Sequence, residues 1–239
     1  MIVWKSFGAS VIGPGHIATC KPNQDAWVAF HHIWGDGIVV ADGLGSKQFS
    51  NFGSHAACLS VACTVQACNG KIEKNNAFLS EQIKNNWLSL IAPLEPRDCA
   101  TTCLFAFRMD NGLFRIGMLG DGLAAVVKTD GSVVSLSDDK TNGFSNITTA
   151  LSPNTTENDW QWLSIPENDC KSILLCTDGV ADDLKDTDGF VKEFTSTHCD
   201  LSSLSAGRRT RNILEKWPTP KHTDDKTIAC LFREEATDE

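Results

Sequence analysis

The sequence predicts an α+β fold in which two central antiparallel β-sheets pack as a sandwich and α-helices cover them. Apolar residues alternate along short stretches in the middle of the chain, whereas two earlier stretches have apolar residues at helical spacing. The helices lie between groups of strands, which favours antiparallel sheets over a parallel sheet of βαβ units. With 239 residues, of which 41% are hydrophobic, the chain can bury a substantial core. We expect a single domain over residues 1–239.

The first third of the chain predicts strands followed by two helices. Residues 2–7 are apolar, and the stretches 25–33 and 37–42 flank a turn at 34–37 that is typical of a β-hairpin. A helix is predicted to begin at Ser50 or Asn51, both good N-cap residues. Its apolar face carries Phe52, Ala56, Leu59 and Cys63. The next helix ends before Pro93 and has apolar residues at helical spacing: Leu79, Ile83, Trp87 and Leu90.

The rest of the chain is mostly strand. Alternation places four side chains on one face of a strand at 102–109: Cys103, Phe105, Phe107 and Met109. The return strand alternates at Phe114, Ile116 and Met118. Strands are also predicted at 123–128, 132–136, 173–176 and 227–232, with a helix at 203–217 and a long polar loop at 137–160.

Composition limits the classes of partner. The formal net charge of −9 repels nucleic acid and anionic lipid, so we expect neither as a partner. No apolar stretch approaches the ~20 residues of a membrane-spanning helix. The basic cluster Arg208, Arg209 and Arg211 is interpreted as a solvated helix face, with docking of an acidic partner as the alternative.

The ten cysteines are interpreted as free thiols in a reducing cytoplasm. No export signal precedes the first strand, and most of the cysteines lie inside apolar stretches. There is no Cys-x-x-Cys pair of the kind that binds zinc. We therefore expect a cytoplasmic protein without disulfide bonds.

Aspartates recur at the ends of the predicted strands. Asp42, Asp121 and Asp178 are each followed by glycine, and Asp224 and Asp25 each lie at or just before the start of a strand. A single Asp-Gly pair is more often only a turn. Several carboxylates buried together, however, require cations to neutralise them. Oxygen ligands without paired Cys or His favour Mg²⁺ or Mn²⁺ over Zn²⁺.

Six short motifs, taken in order, resemble the successive motifs of the protein phosphatase 2C family. They are Asn23-Gln24-Asp25-Ala26, Val40-Ala41-Asp42-Gly43-Leu44-Gly45, Ala100-Thr101-Thr102, Leu119-Gly120-Asp121-Gly122, the segment 175–182 around Thr177-Asp178-Gly179, and Asp224-Asp225-Lys226-Thr227-Ile228. Each motif alone is weak, but their order extends over nearly the whole chain. The resemblance implies the two-sheet sandwich with helices on both sides, and a site for two Mn²⁺ or Mg²⁺ ions at one end of it.

The resemblance also implies roles for individual residues. Asp42 would bridge both ions and the carbonyl of Gly43 would bind one of them, while Asp178 and Asp224 would hold the other. Asp25 and Asp182 would act on waters around the ions, and Asp121 matches a position that, with Asp178, can hold a third ion. Asp42, Asp178 and Asp224 are therefore the predicted catalytic carboxylates, and the full predicted metal set is Asp25, Asp42, Gly43, Asp121, Asp178 and Asp224.

Two positions depart from the family pattern. Leu44 occupies a position where many members have a histidine that is proposed as a general acid. No arginine precedes Asp25 to bind substrate phosphate, since the stretch 13–22 contains none. His16 or Lys21 could donate to phosphate instead, although neither offers a bidentate guanidinium. The alternatives are a turn histidine and a solvated lysine. His31, His32 and His222 are not expected to bind metal, since adjacent strand residues point to opposite faces.

The predicted function is metal-dependent hydrolysis of phosphoserine and phosphothreonine in proteins by a metal-activated water. We expect a monomer that acts on a phosphorylated protein substrate and is paired with a Ser/Thr kinase. Two alternatives stay open: a phosphatase-fold protein that binds a phosphoprotein without turnover, and a hydrolase of small phosphoesters.

Overall fold

The structure, a computed structural model, describes residues 2–69, 71, 75–137, 149–218 and 223–234. The described strands are β1 (Val3–Val11), β2 (Asp25–His32), β3 (Gly35–Asp42), β4 (Cys103–Arg108), β5 (Leu113–Leu119), β6 (Leu123–Lys128), β7 (Val133–Ser137), β8 (Gln161–Pro166), β9 (Cys170–Cys176) and β10 (Lys226–Glu234). The described α-helices are α1 (Pro14–Ala18), α2 (Ser50–Ala67), α3 (Asn76–Ile91), α4 (Asp178–Ala181), α5 (Thr187–His198) and α6 (Ser203–Glu215). His222 and residues 138–148 of the predicted loop lie outside the described residues.

The strands form two antiparallel sheets of five strands each. The first sheet has the order β1-β10-β9-β6-β7 and the second has the order β2-β3-β4-β5-β8. Each hydrogen-bonded pair is antiparallel. The predicted α+β sandwich is therefore confirmed.

Three hydrophobic layers hold the sandwich together. One lies between the two sheets and contains Ile38, Leu104, Ile116, Leu175 and Leu231. A second packs α2 and α3 on the outer face of the second sheet, and a third packs α5 and α6 on the outer face of the first sheet. Each sheet is therefore buried on both faces, and helices cover both outer faces as expected.

The alternation predicted for the central strands is confirmed. Cys103, Phe105, Phe107 and Met109 all face the helices α2 and α3. The return-strand residues Phe114, Ile116 and Met118 face the layer between the sheets. Strands β6, β7, β9 and β10 and helix α6 lie where the sequence predicted them, with ends that differ by up to three residues. Strand β1 extends to Val11, beyond the predicted end at residue 7.

The predicted apolar face of α2 is wrong at three of its four residues: Ala56 is buried, but Cys63 is exposed, as are Phe52 and Leu59. Phe52 is 57% exposed and Leu59 is 48% exposed. The buried face carries smaller residues, among them Gly53, Ala57 and Val61. The helix lies so close to its neighbours that a Cβ on Gly53 would be 1.8 Å from the carbonyl oxygen of Cys99. The expected cap is also absent, because Phe49 occupies the N-cap position and makes no side-chain hydrogen bond there.

Helix α3 agrees better with its prediction. Leu79, Ile83 and Trp87 are buried, but the last core residue is Ile91 and Leu90 is exposed. The sequence did not predict α1, α4, α5 or β8. All ten cysteines are free thiols, as expected. No described helix is both long enough and apolar enough to span a membrane.

Candidate active site

Strand ends bring the predicted aspartates to one end of the sandwich. Asp25 is the first residue of β2 and is paired directly with Asp42, the last residue of β3. Asp178 begins α4 immediately after β9, and Asp224 lies two residues before β10, the strand that pairs with β9. Asp121 lies in the turn between β5 and β6. In each antiparallel pair the start of one strand lies beside the end of its neighbour, so these carboxylates meet at one end of the sandwich.

The pKa of Asp42 shows how closely the carboxylates lie. Burial raises this pKa well above its usual value, and repulsion from Asp25, Asp178 and Asp224 raises it further. Repulsion of this kind favours either the protonated form of a carboxyl or a cation bound beside it.

Asp178 connects the outer members of the cluster. Burial raises its pKa, and the negative charges of Asp121, Asp224 and Asp182 raise it further. Within one site, therefore, the structure places five side chains that the sequence predicted as ligands: Asp25, Asp42, Asp121, Asp178 and Asp224.

Asp25 is the most enclosed of the five. Only 3% of it is exposed, and burial raises its pKa to about 7, with a further contribution from Asp225. One carboxylate oxygen accepts hydrogen bonds from the hydroxyls of Thr177 (2.9 Å) and Thr227 (2.7 Å). The other oxygen, Oδ1, is buried and has no partner, and the same is true of Oδ1 of Asp178.

The backbone around Gly43 is tightly held. The carbonyl oxygen of Asp42 accepts hydrogen bonds from the hydroxyl of Thr101 (2.8 Å) and the N–H of Thr102 (2.8 Å). The N–H of Gly43 donates to the carbonyl of Gln24 at 3.0 Å. A Cβ on Gly43 would lie 2.5 Å from the carbonyl oxygen of Ser50. Glycine is therefore required here by the approach of the α2 backbone. Ligation by the Gly43 carbonyl stays a prediction.

His16 lies on α1 beside the cluster and is held by Asp225. Its Nδ1 is 2.8 Å from Oδ2 of Asp225. The same carboxylate accepts the backbone N–H groups of Gly13 (2.7 Å) and Gln24 (2.6 Å). Because Asp225 acts only as an acceptor in these contacts, the Nδ1 of His16 carries the proton and its Nε2 is left for another group.

The sequence reasoning missed Asp225 as a functional residue. The motif at 224–228 contains Asp225, but only Asp224 was predicted to act at the site. The signal was present: a second acidic residue directly before a buried strand has to find donors inside the protein. The donors are the backbone of the segment that carries His16 and the backbone of Gln24, next to Asp25.

Lys21 lies near the loop that follows Asp42. Its Nζ donates to the carbonyl oxygen of Gly45 at 3.0 Å, and the residue is exposed. The structure therefore holds His16 firmly through Asp225, whereas Lys21 has one contact, at the surface, with the loop three residues after Asp42.

The donor set suits a hard divalent cation. Asp25, Asp42 and Asp178 form no ion pair with lysine or arginine within the described residues. Two of their oxygens are buried without any partner, and burying unpaired carboxylates is costly unless a cation is present. Ligand atoms of His16, Asp224 and Asp225 also lie within 4.8 Å of one another. Oxygen ligands in this number favour Mg²⁺ or Mn²⁺.

The comparisons with known proteins identify the family of this chain. The family model described as protein phosphatase 2C matches residues 12–217. A search of curated protein sequences found no match. The chain belongs to the protein phosphatase 2C family, and it is therefore a protein phosphatase by class.

Solved structures share the fold at low sequence identity. A bacterial serine phosphatase superposes with a TM-score of 0.71 at 18% identity, covering 99% of this chain and 100% of that one. The Ser/Thr phosphatase Stp1 from Staphylococcus aureus has a TM-score of 0.70 at 17% identity, covering 98% of this chain and 96% of that one. The catalytic domain of the phosphatase PstP, solved with two manganese ions, has a TM-score of 0.65 at 13% identity, with 98% and 100% covered.

Proposed function

We propose that this protein hydrolyses phosphoserine and phosphothreonine in protein substrates, using Mn²⁺ or Mg²⁺ bound at the carboxylate cluster. The observation that carries the proposal is that Asp25, Asp42 and Asp178 form no ion pair with lysine or arginine within the described residues, and that two of their oxygens are buried without a partner. Family membership supports the reaction class, and the related PstP and RsbX structures contain manganese and magnesium.

The metal set is Asp25, Asp42, Gly43, Asp121, Asp178 and Asp224. When bound, divalent ions at such a site supply a water-derived nucleophile near neutral pH and neutralise phosphoryl charge. The chain then has to fix its carboxylates. Thr177 and Thr227 hold Asp25 from one side, and the direct pairing of β2 with β3 sets Asp25 against Asp42.

His16 and Lys21 are proposed to orient the substrate phosphate. Asp225 fixes the ring of His16 through Nδ1, so its Nε2 can contact a phosphate oxygen or the leaving-group oxygen. Lys21 adds a positive charge at the rim, beside Gly45. Neither residue provides the bidentate contact of an arginine, so we expect phosphate to be held more weakly by the protein and more by the ions.

The test is hydrolysis of a phosphothreonine peptide with Mn²⁺ and with EDTA. We expect release of phosphate only in the presence of the ion. A phosphotyrosine peptide and a nucleoside monophosphate serve as controls for substrate class. Turnover that persists in EDTA would contradict the proposal, and a strong preference for the nucleotide would indicate a hydrolase of small phosphoesters. A folded, metal-binding protein that hydrolyses none of these substrates would favour phosphoprotein binding without turnover.

A further inference from the structure

A groove runs along the outer edge of β1 and leads away from the carboxylate cluster. It has a volume of about 610 Å³. Its floor is the β1 backbone from Ser6 to Ser10, one wall is α6 and the opposite wall is Trp27 of β2. Within the described residues no strand pairs with this edge, because β1 is the terminal strand of its sheet.

The charge of the groove is opposite to that of the whole protein. Two of its lining residues are charged, and both are arginines: Arg208 and Arg211. This occurs on a chain whose formal net charge is −9. Within the described residues Arg208 forms no ion pair, and Arg211 pairs only with Glu215 on its own helix, at 2.8 Å. The side chains of Arg211 and Glu215 are 68% and 50% exposed. This ion pair is therefore weak, and an incoming carboxylate can replace Glu215.

The Ser10 end of the groove lies near the proposed active site. Ser10 and Arg211 also line a second cavity, together with Asn23 and Lys226. The hydroxyl of Ser10 accepts a hydrogen bond from the side-chain amide of Asn23 at 2.7 Å, and it lies 2.7 Å from the hydroxyl of Thr227. Thr227 contacts the carboxylate of Asp25 as well. The floor of the groove extends from Ser10, beside this hydrogen-bond network, to Ser6. This distance is about 13 Å, the length of four strand residues.

We propose that this groove, defined by Ser6–Ser10, Arg208, Arg211 and Trp27, binds an extended acidic segment of the phosphoprotein substrate. The segment adds a strand to the free edge of β1, and its acidic side chains contact Arg208 and Arg211. The inference rests on the proposed function, since it places the phosphorylated residue at the carboxylate cluster and the acidic residues farther along the same chain.

An extended polypeptide suits the groove better than other anions do. Away from Gly8, whose carbonyl oxygen is approached by Gly207 of α6, the unpaired strand edge offers backbone N–H and C=O groups that another peptide backbone can pair with. The exposed Leu204 and Trp27 add apolar contact beside the two arginines.

The experiment compares three phosphothreonine peptides with the same central residues. One has neutral flanks, and the other two carry a run of glutamates that starts about four residues before or after the phosphothreonine. We expect one acidic peptide to be hydrolysed with a kcat/KM about fivefold higher than the neutral peptide, a gain that salt reduces. The double variant Arg208→Gln/Arg211→Gln should lose this gain.

Arg209→Gln is the matched control. Arg209 is on the same helix but donates to the carbonyl of Thr197 and does not line the groove. Its variant should keep the preference. Hydrolysis of p-nitrophenyl phosphate should be unchanged in all variants, because that substrate does not extend into the groove. An equal kcat/KM for all three peptides, or a preference that survives in the double variant, would overturn the proposal.

A binding measurement separates this inference from the proposed function. Fluorescence anisotropy of a labelled, unphosphorylated acidic peptide in EDTA measures binding in the groove even if no peptide is hydrolysed. We expect binding to the wild type and to Arg209→Gln, and weaker binding to the double variant. Methylating alternate backbone nitrogens of the peptide should weaken binding further, since strand pairing needs those N–H groups. Equal affinities across the variants, or for the methylated peptide, would contradict binding at the β1 edge.

Discussion

The carboxylates at the two ends of strand β3 have different kinds of neighbour. At one end, Asp36 is paired within the chain: its Oδ1 is 2.7 Å from Nδ1 of His31, and its Oδ2 accepts from Nε of Arg108 at 3.3 Å. Arg108 lies 3.5 Å from Glu167, which in turn accepts the indole N–H of Trp4 at 2.8 Å. Each carboxylate at this end therefore has a donor from the protein.

At the other end, Asp42 meets other acids instead of cations. Its pKa is raised well above its usual value by burial and by Asp25, Asp178 and Asp224. Within the described residues, no lysine or arginine forms an ion pair with it. The difference shows that the fold has cations available for buried carboxylates and does not place one at Asp42. This difference supports the proposal that a bound cation supplies the positive charge at Asp42.

The largest expected effect is that of Asp178→Asn. Because this substitution removes a charged ligand but keeps the shape of the side chain, we expect kcat for the phosphothreonine peptide to fall by about 100- to 1,000-fold. The melting temperature in EDTA should not fall, since a repelling charge is removed. An unchanged rate would show that the metal site lies elsewhere.

Metal removal gives the next largest effect. At a Mn²⁺ concentration of about 100 times its Kd, binding adds about 2.7 kcal/mol to the free energy of unfolding. For a chain of this length that corresponds to a rise in Tm of about 5–10 °C. Thermal unfolding with Mn²⁺ and with EDTA measures it. The same Tm in both conditions would argue against ions at the carboxylate cluster.

Asp36→Asn is the matched control at the opposite end of β3. It removes a charge that Arg108 and His31 contact, so we expect the free energy of unfolding to fall by about 1.5–3 kcal/mol. The kcat and the stabilisation by Mn²⁺ should be retained at a temperature where the variant is folded. Chemical unfolding combined with the peptide assay checks both parts. A loss of kcat comparable to that of Asp178→Asn would remove the distinction between the two ends.

The smallest expected effect is that of His16→Ala. If the Nε2 of His16 contacts the substrate phosphate, KM for the phosphothreonine peptide should rise by about tenfold. Lys21→Ala should have a weaker effect, because its side chain is exposed. An unchanged KM in His16→Ala would show that the pair with Asp225 only fixes the turn of the chain.

The sequence predicted the sheets better than the helix faces. Alternation in β4 and β5 was reliable because each face of these strands meets a different hydrophobic layer. In α2 the same reasoning failed, since the large residues Phe52 and Leu59 point outward. Helix packing there depends on close backbone approach at Gly53, which a count of large apolar residues does not detect.

The part of the site that lies at the ends of strands could be predicted from the sequence. The positions of Asp25, Asp42, Asp121, Asp178 and Asp224 follow from motifs at those ends, and the structure brings these side chains together. The sequence indicated that Asp225 needs donors but not which ones, because its partners Gly13, His16 and Gln24 are about two hundred residues away in the chain and meet it only after folding.

Calorimetric titration of Mn²⁺ into the wild type, Asp178→Asn and Asp36→Asn tests the central claim most directly. We expect the wild type and Asp36→Asn to bind the ion with the same stoichiometry and affinity. Asp178→Asn should lose at least one ion or bind it far more weakly. Equal binding by Asp178→Asn and the wild type, or a loss confined to Asp36→Asn, would contradict the assignment of the metal site to the cluster around Asp42.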